Sequence, residues 1–180
     1  MKTTVWTYQD YLKLDEDEGY ETIGGELYPV PSASRKHQRT APRLALAFSK
    51  HVEEKAVGEV YLLPFDVVLS EENVVQPDLV VVLKENLSVV KEKGIFGAPD
   101  LVVEIVSPSS LKKDTEDKRR LYASYRIKEL WLLFPEEKVI EVFTLEGLEY
   151  KVHSWAYEQG QVCSKLLEGL CVDLKEVFGD

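Results

Sequence analysis

Three side chains in the middle of this 180-residue chain have the types and spacing for metal-assisted phosphodiester chemistry: Asp78, Glu104 and Lys118. Asp78 follows Pro77 and opens the run Leu79-Val80-Val81-Val82, while Glu104 interrupts Leu101-Val102-Val103 and Ile105-Val106. Short β-branched runs bounded by Pro, Gly or Ser are the pattern of strands covered on both faces of a sheet. An ionisable residue inside such a strand needs a partner, a proton or a metal. Asp78 and Asp100 each follow a proline at a strand entrance, and Asp78 meets Glu104 if their strands are neighbours. Lys118 lies in a stretch, 113–126, that suits a helix. Leu121, Tyr122 and Tyr125 follow it by three, four and seven places, which turns the lysine to the apolar face and Arg119 and Arg120 elsewhere.

Two carboxylates with a strand carbonyl form a hard oxygen nest for Mg2+ or Mn2+. A lysine beside them can orient water or stabilise charge on a pentavalent phosphate. The competing structural reading is a buried Glu104–Lys118 pair that needs no metal. A second carboxylate, Asp78, leaves that pair short of positive charge and favours a cation.

Taken in order, these motifs resemble the Uma-type family of restriction-endonuclease-like proteins in the PD-(D/E)XK nuclease superfamily. The residues that carry the resemblance are Pro77-Asp78, Pro99 through Ser109, Asp114, Lys118, Tyr122, Glu129-Leu130-Trp131 and Pro135. It extends over nearly the whole chain, taking in Gly25-Glu26-Leu27, His37-Gln38 at a helix start, and Glu168-Gly169-Leu170 with Asp173-Leu174. The resemblance implies a restriction-endonuclease-like core, a metal at Asp78 and Glu104, and DNA as substrate. Glu26, His37 and Asp100 are supporting candidates. Glu26 also reads as a plain hairpin charge, and His37 as a helix-start residue bonded to local backbone. One departure stands out: the superfamily's third strand reads acid-x-Lys, whereas Glu104 is followed by Ile105 and Val106. In this family a lysine from the following helix substitutes, and Lys118 is the residue that matches.

The elements that must position these groups are legible in outline. Thr7 can cap a short helix over 8–15, and Tyr20 to Val30 reads as a hairpin around Gly24-Gly25. A helix over 35–55 carries Ala41, Leu44, Ala45, Phe48 and Val52 at core spacing, with Pro42 predicting a later start or a kink. Gly58 to Leu69 reads as one strand interrupted at Pro64, joined by a polar turn to an antiparallel strand that leads into Asp78. Residues 83–97 form a polar excursion, a mobile loop or short helix near the cleft mouth. The helix over 113–126 makes the strands before and after it parallel. The expected architecture is one α/β domain over 1–180, a mixed central β-sheet flanked by helices, with an N-terminal helix and hairpin.

Composition sets the remaining bounds. A hydrophobic content of 44% suits one substantial core. No apolar run approaches the roughly 20 residues that span a bilayer, and the N-terminus lacks a signal-peptide core, so a cytoplasmic location without membrane contact is expected. Cys163 and Cys171 have no zinc spacing and read as reduced, packed thiols. The net charge of −10 opposes simple nucleic-acid binding. An empty metal site carries surplus carboxylates, however, and the charge is uneven. Acid concentrates at Asp15 to Glu18, base at Arg35, Lys36, His37, Arg39 and Arg43 and again at Lys112, Lys113, Lys118, Arg119 and Arg120. These basic clusters either flank the site or are solvated helix faces. No glycine-rich phosphate loop supports a nucleotide hydrolase, and no Gly-x-Ser-x-Gly surrounds Ser107 or Ser109. The expectation is therefore a Mg2+-dependent DNA endonuclease, with an exposed sheet edge as the seam should it form a homodimer. The alternative is a nuclease-fold module that no longer cuts and binds a protein or nucleic-acid partner.

Overall fold

Thr7 closes a capping box with Asp10 at the start of α1 (Tyr8–Tyr11), and Gly24 and Gly25, both with positive φ, turn β1 (Tyr20–Ile23) back on β2 (Glu26–Pro29). The computed structural model describes residues 5–15 and 18–179, so Glu16 and Asp17 of the acidic run lie outside the described residues. Ser34 caps α2 (Arg35–Lys55), its hydroxyl accepting from the His37 amide. Contrary to the expectation at Pro42, α2 starts at Arg35 and runs on past the proline, whose only unavoidable cost is the donor missing for the Gln38 carbonyl.

Two hairpin arms then decide the architecture, because each changes sheets at a proline. β3 (Gly58–Leu62) and β4 (Asp66–Ser70) flank Pro64; β5 (Asn73–Val75) and β6 (Leu79–Leu83) flank Pro77. β4 pairs antiparallel with β5 in one sheet, and β3 with β6 in another. The stretch expected to be one interrupted strand is therefore two, split between two ladders that proline cannot continue. The polar excursion is ordered as a 3-10 turn (Lys84–Val89) followed by β7 (Val90–Lys91) and β8 (Gly94–Phe96), the last lying parallel to β4.

β9 (Leu101–Ile105) leads through a π-helical segment (Lys113–Lys118) into α3 (Arg119–Ser124) and on to β10 (Glu129–Phe134), which pairs parallel with β9. β11 (Val139–Glu146) and β12 (Glu149–Tyr157) form the following hairpin, and β13 (Gln161–Cys163), β14 (Cys171–Asp173) and α4 (Leu174–Phe178) close the chain. The first sheet runs β2-β1-β5-β4-β8-β7 and the second β12-β11-β10-β9-β6-β3, each with one parallel pair, so both are mixed. Leu44, Phe48 and Val52 of α2 cover one face of the second sheet against Leu101, Val103 and Trp131. Tyr122 and Ile127 cover its other face against Val102, Leu130 and Leu132.

Cys163 and Cys171 are joined as a disulfide between facing positions of β13 and β14, which corrects the reading of them as free thiols. The side-chain register of the short hairpin brings the two sulfurs together. Among the described residues no helix is long and apolar enough to cross a membrane.

Beside this hairpin, the fully buried Glu129 accepts from Trp131 Nε1 (2.8 Å), Ser164 Oγ (2.5 Å) and the amides of Lys165 and Leu166 (both 2.8 Å). Its carboxylate thus ties the turn after β13 to β10. Glu129→Gln replaces an acceptor by a donor facing these groups and should lower unfolding stability in urea by about 2–4 kcal/mol, the cost of one or two orphaned buried partners. An unchanged midpoint would show that the clasp is incidental.

Candidate active site

The corner at Pro77 sets Asp78 one step beyond the Leu79–Val103 pair of β6 and β9, which is opposite Glu104. The sequence signal that the two carboxylates would be neighbours therefore corresponds to an antiparallel pairing. Asp78 is held on both oxygens: Oδ2 accepts from the Ile105 amide at 2.6 Å, and Oδ1 lies 2.7 Å from His37 Nε2. Val103 and Ile105 face α2, so the alternation of β9 sends Glu104 to the other face, under Tyr122 and Lys118. There its Oε1 accepts from Lys118 Nζ at 3.0 Å and from the Tyr122 hydroxyl.

Lys118 does face inward, but its shortest contact is with a residue that sequence reasoning passed over. Glu21 of β1 is 1% exposed and sits 2.6 Å from Lys118 Nζ through Oε1. Its Oε2 takes Lys113 Nζ at 2.7 Å, and Oε1 also accepts from the Gln76 amide at 2.9 Å. Buried Asp114 adds a third carboxylate 3.7 Å from Lys118. One ammonium is thus shared by Glu21, Glu104 and Asp114.

The protonation pattern follows from that sharing. Burial pushes the Glu104 carboxyl well above its usual range; Lys118 pulls it down, but Asp114, Glu21 and Asp78 add to the rise. Burial likewise raises Asp114 against the pull of Lys118. Burial alone would raise Glu21 too, yet Lys118 and Lys113 together outweigh it and hold the group below its usual value. The two glutamates differ because Glu21 owns a second lysine and a backbone donor, whereas the only cation at Glu104 among the described residues is the shared Lys118, with the Tyr122 hydroxyl as its neutral donor. Burial would lower the Lys118 ammonium, but Glu104, Glu21 and Asp114 keep it firmly protonated. His37 is raised by its bond to Asp78, partly offset by burial.

Two supporting candidates lie elsewhere. Glu26 is exposed on β2, where it accepts from the Tyr28 hydroxyl at 2.6 Å and pushes that phenol up to about 12. Asp100 stands at the opposite end of β9 from Glu104, accepting from the Leu83 amide, Asn86 Nδ2 and Lys128 Nζ at 2.8, 3.1 and 2.8 Å. Its bonds tie strand ends together. His37, by contrast, reaches Asp78 with its ring while its backbone serves the Ser34 cap, and its buried Nδ1 has no protein partner among the described residues.

Asp78, Glu104, Ile105, Glu21, Asp114 and Lys118 line a cavity of about 60 Å3, room for a few waters and not for a base. Four carboxylates face two lysines there, with Lys113 the second, so full ionisation would leave two negative charges in surplus, an excess that shows in the raised Glu104 and Asp114 carboxyls. That surplus on hard oxygens fits a divalent cation. Among the described residues no three His, Cys, Asp or Glu side chains form a ready metal cage. Asp78 and Glu104 could thus supply two protein ligands, with water and phosphate filling the rest, as Mg2+ commonly accepts. The basic clusters are partly spent: Lys113 and Lys118 pair inside the site, Arg119 lies over Phe143, and Lys36 and Arg120 pair with Glu136 and Glu116.

Glu104→Gln and Lys118→Met should move stability in opposite directions. The raised Glu104 carboxyl favours folding below its unfolded value and opposes it as pH rises through the folded one. Glu104→Gln should therefore stabilise at neutral pH, by roughly 1–4 kcal/mol, with the gain fading toward pH 4. Lys118→Met strands three buried carboxylates and should cost roughly 3–5 kcal/mol. Denaturant titrations at several pH values check both, and a neutral Lys118→Met would contradict the shared-ammonium picture.

Comparisons with known proteins bear on the family and the fold. The uncharacterized protein slr1290 of Synechocystis sp. is 27% identical over 136 residues, covering 73% of this chain and 69% of its own length. The crystal structure of a "putative nuclease belonging to DUF820" from Anabaena variabilis superposes with a TM-score of 0.79 at 20% identity, covering 96% of this chain and 97% of that one, a likeness of fold. The profile of Uma2, described as "Putative restriction endonuclease", matches residues 8–175, and the chain belongs to that family.

Proposed function

We propose that the protein is a metal-dependent endonuclease that hydrolyses phosphodiester bonds in DNA. The observation that carries this reading is the placement of Asp78 and Glu104 at facing positions of β6 and β9, with Lys118 beside them in one buried cavity. Asp78 and Glu104 would hold Mg2+ or Mn2+, which supplies an activated water and neutralises charge at the scissile phosphate. The protein's own residues prepare that site. Lys118 favours the ionised form of Glu104 against burial and fixes its orientation with Tyr122. The Ile105 amide and His37 fix Asp78, and the buried His37 Nδ1, without a protein partner among the described residues, can meet a water. Arg35 and Arg39, exposed on the first turns of α2, can meet neighbouring phosphates.

A second reading, a nuclease-fold module that binds without cutting, draws on one observation. Both Asp78 oxygens and Glu104 Oε1 already carry protein donors, so a metal must share or displace them.

Plasmid cleavage with Mg2+ or Mn2+ separates the two. Asp78→Asn and Glu104→Gln should each lower the rate at least roughly a hundredfold while remaining folded. Wild-type protein that leaves DNA intact under both metals, yet retains it on a gel, would instead favour the binding module.

A further inference from the structure

We propose that the cavity next to the catalytic one holds an unpaired guanine base of the substrate strand. This assignment rests on the nuclease reading above and names what that site selects. The cavity, about 580 Å3, is framed by α1 with Leu12, Leu14 and Asp15, by Glu18 and Gly19 leading into β1, by the Pro64 corner and by the turn between β7 and β8. It differs from the catalytic cavity in both size and lining. Tyr8, Tyr11, Tyr20 and Phe65 supply aromatic walls and Lys93 a cation; of the carboxylates, Glu18 takes the Tyr20 hydroxyl and Asp66 the Tyr11 hydroxyl and the Gln76 side chain, while Glu92 stands on the exposed turn.

A single residue links the two cavities. Gln76 lines both, its backbone amide bonded to Glu21 of the catalytic cluster and its side-chain amide to Asp66 (2.8 Å) and Tyr11 (3.2 Å). Gln76 precedes Asp78 by two residues, about 7 Å of extended chain, so a base here belongs to a nucleotide adjoining the phosphate at Asp78. Gly19 packs closely against Gln76 and Val30, since a Cβ there would lie 3.2 Å from Val30 and 3.6 Å from the Gln76 amide oxygen.

The chemistry of the lining selects the ligand. Acidic walls repel phosphate, so the backbone stays outside while the base enters. Carboxylates only accept hydrogen bonds, and guanine is the base whose pairing edge presents adjacent N–H donors, at N1 and N2, to a single carboxylate. Reading that edge requires the base to be unpaired, stacked on aromatic side chains as single-stranded bases are. The aromatic walls are braced for this: Tyr8 stacks on Tyr11 at 6.2 Å and meets Phe96 edge-on at 5.8 Å, and Phe65 stacks on Tyr61 at 5.0 Å.

Guanosine, which has no phosphate and needs no metal, tests the pocket apart from catalysis. Ligand-observed NMR and calorimetry should detect guanosine binding to wild-type protein. Inosine, lacking the 2-amino group, should bind roughly tenfold more weakly, as should guanosine to Tyr8→Ala or to Glu92→Gln, whose carboxylate is on an exposed turn away from the core. Equal binding of guanosine and uridine, no binding of either, unchanged affinity in both variants, or binding only of an arginine peptide would each overturn the proposal. Plasmid cleavage on the same samples keeps the two readings distinct. Guanosine binding without any cleavage would sink the nuclease reading alone, and cleavage without guanosine binding would sink the pocket alone.

Discussion

The structure turns on one buried ammonium. Lys118 is 2% exposed and lies within reach of Glu21, Glu104 and Asp114, which come from the first sheet, the second sheet and its own helical segment. Removing such a group from water is tolerable only because the carboxylates return the lost solvation. The same contacts fix how β1 of the N-terminal hairpin sits against β9. They also leave an imbalance, since one ammonium is shared among three carboxylates and Lys113 pairs directly with Glu21 and acts on Asp114 but not on Glu104. Glu104 bears that imbalance, and it is the group that stands opposite Asp78.

An electrostatic deficit at a paired carboxylate site is a costly feature for a fold that needs only stability. Glu129 shows the cheaper solution, a buried carboxylate met, among the described residues, by four neutral donors and no cation. The contrast within one chain is what gives the Asp78–Glu104 arrangement its functional colour. Perturbed carboxyls in a cavity are where catalysis concentrates. The position of lysine on a helix, instead of two places after the acid on the strand, changes the route of the ammonium to the site and keeps its charge beside Glu104.

Much of this was legible in local pattern. The β-branched runs around Asp78 and Glu104 revealed strands covered on both faces, and the three-four spacing after Lys118 revealed its inward direction even though the backbone there is π-helical. The motifs in order led to the right family. What local pattern could not reveal was partnership between distant segments. Glu21 sits in a hairpin like any other acid, and the lysines that bury it lie 92 and 97 places further along. The available signal was its alternation with Ile23, which puts it on the inward side of β1, while Glu26 across the turn is outward. The parallel pairing of β8 with β4 and the change of sheet at Pro64 and Pro77 are equally non-local. For the disulfide the signal did exist: Cys163 and Cys171 flank a turn containing Gly169, and a hairpin through it sets them face to face.

Manganese titration by calorimetry tests the central claim, that Asp78 and Glu104 together form a divalent-cation site. Wild-type protein should bind one Mn2+ in the cavity, with the heat lost in both Asp78→Asn and Glu104→Gln while each remains folded. If the wild type takes up no Mn2+ at millimolar concentration, or if both variants bind it as well as the wild type does, the carboxylates and Lys118 form a structural network and the metal site is wrong.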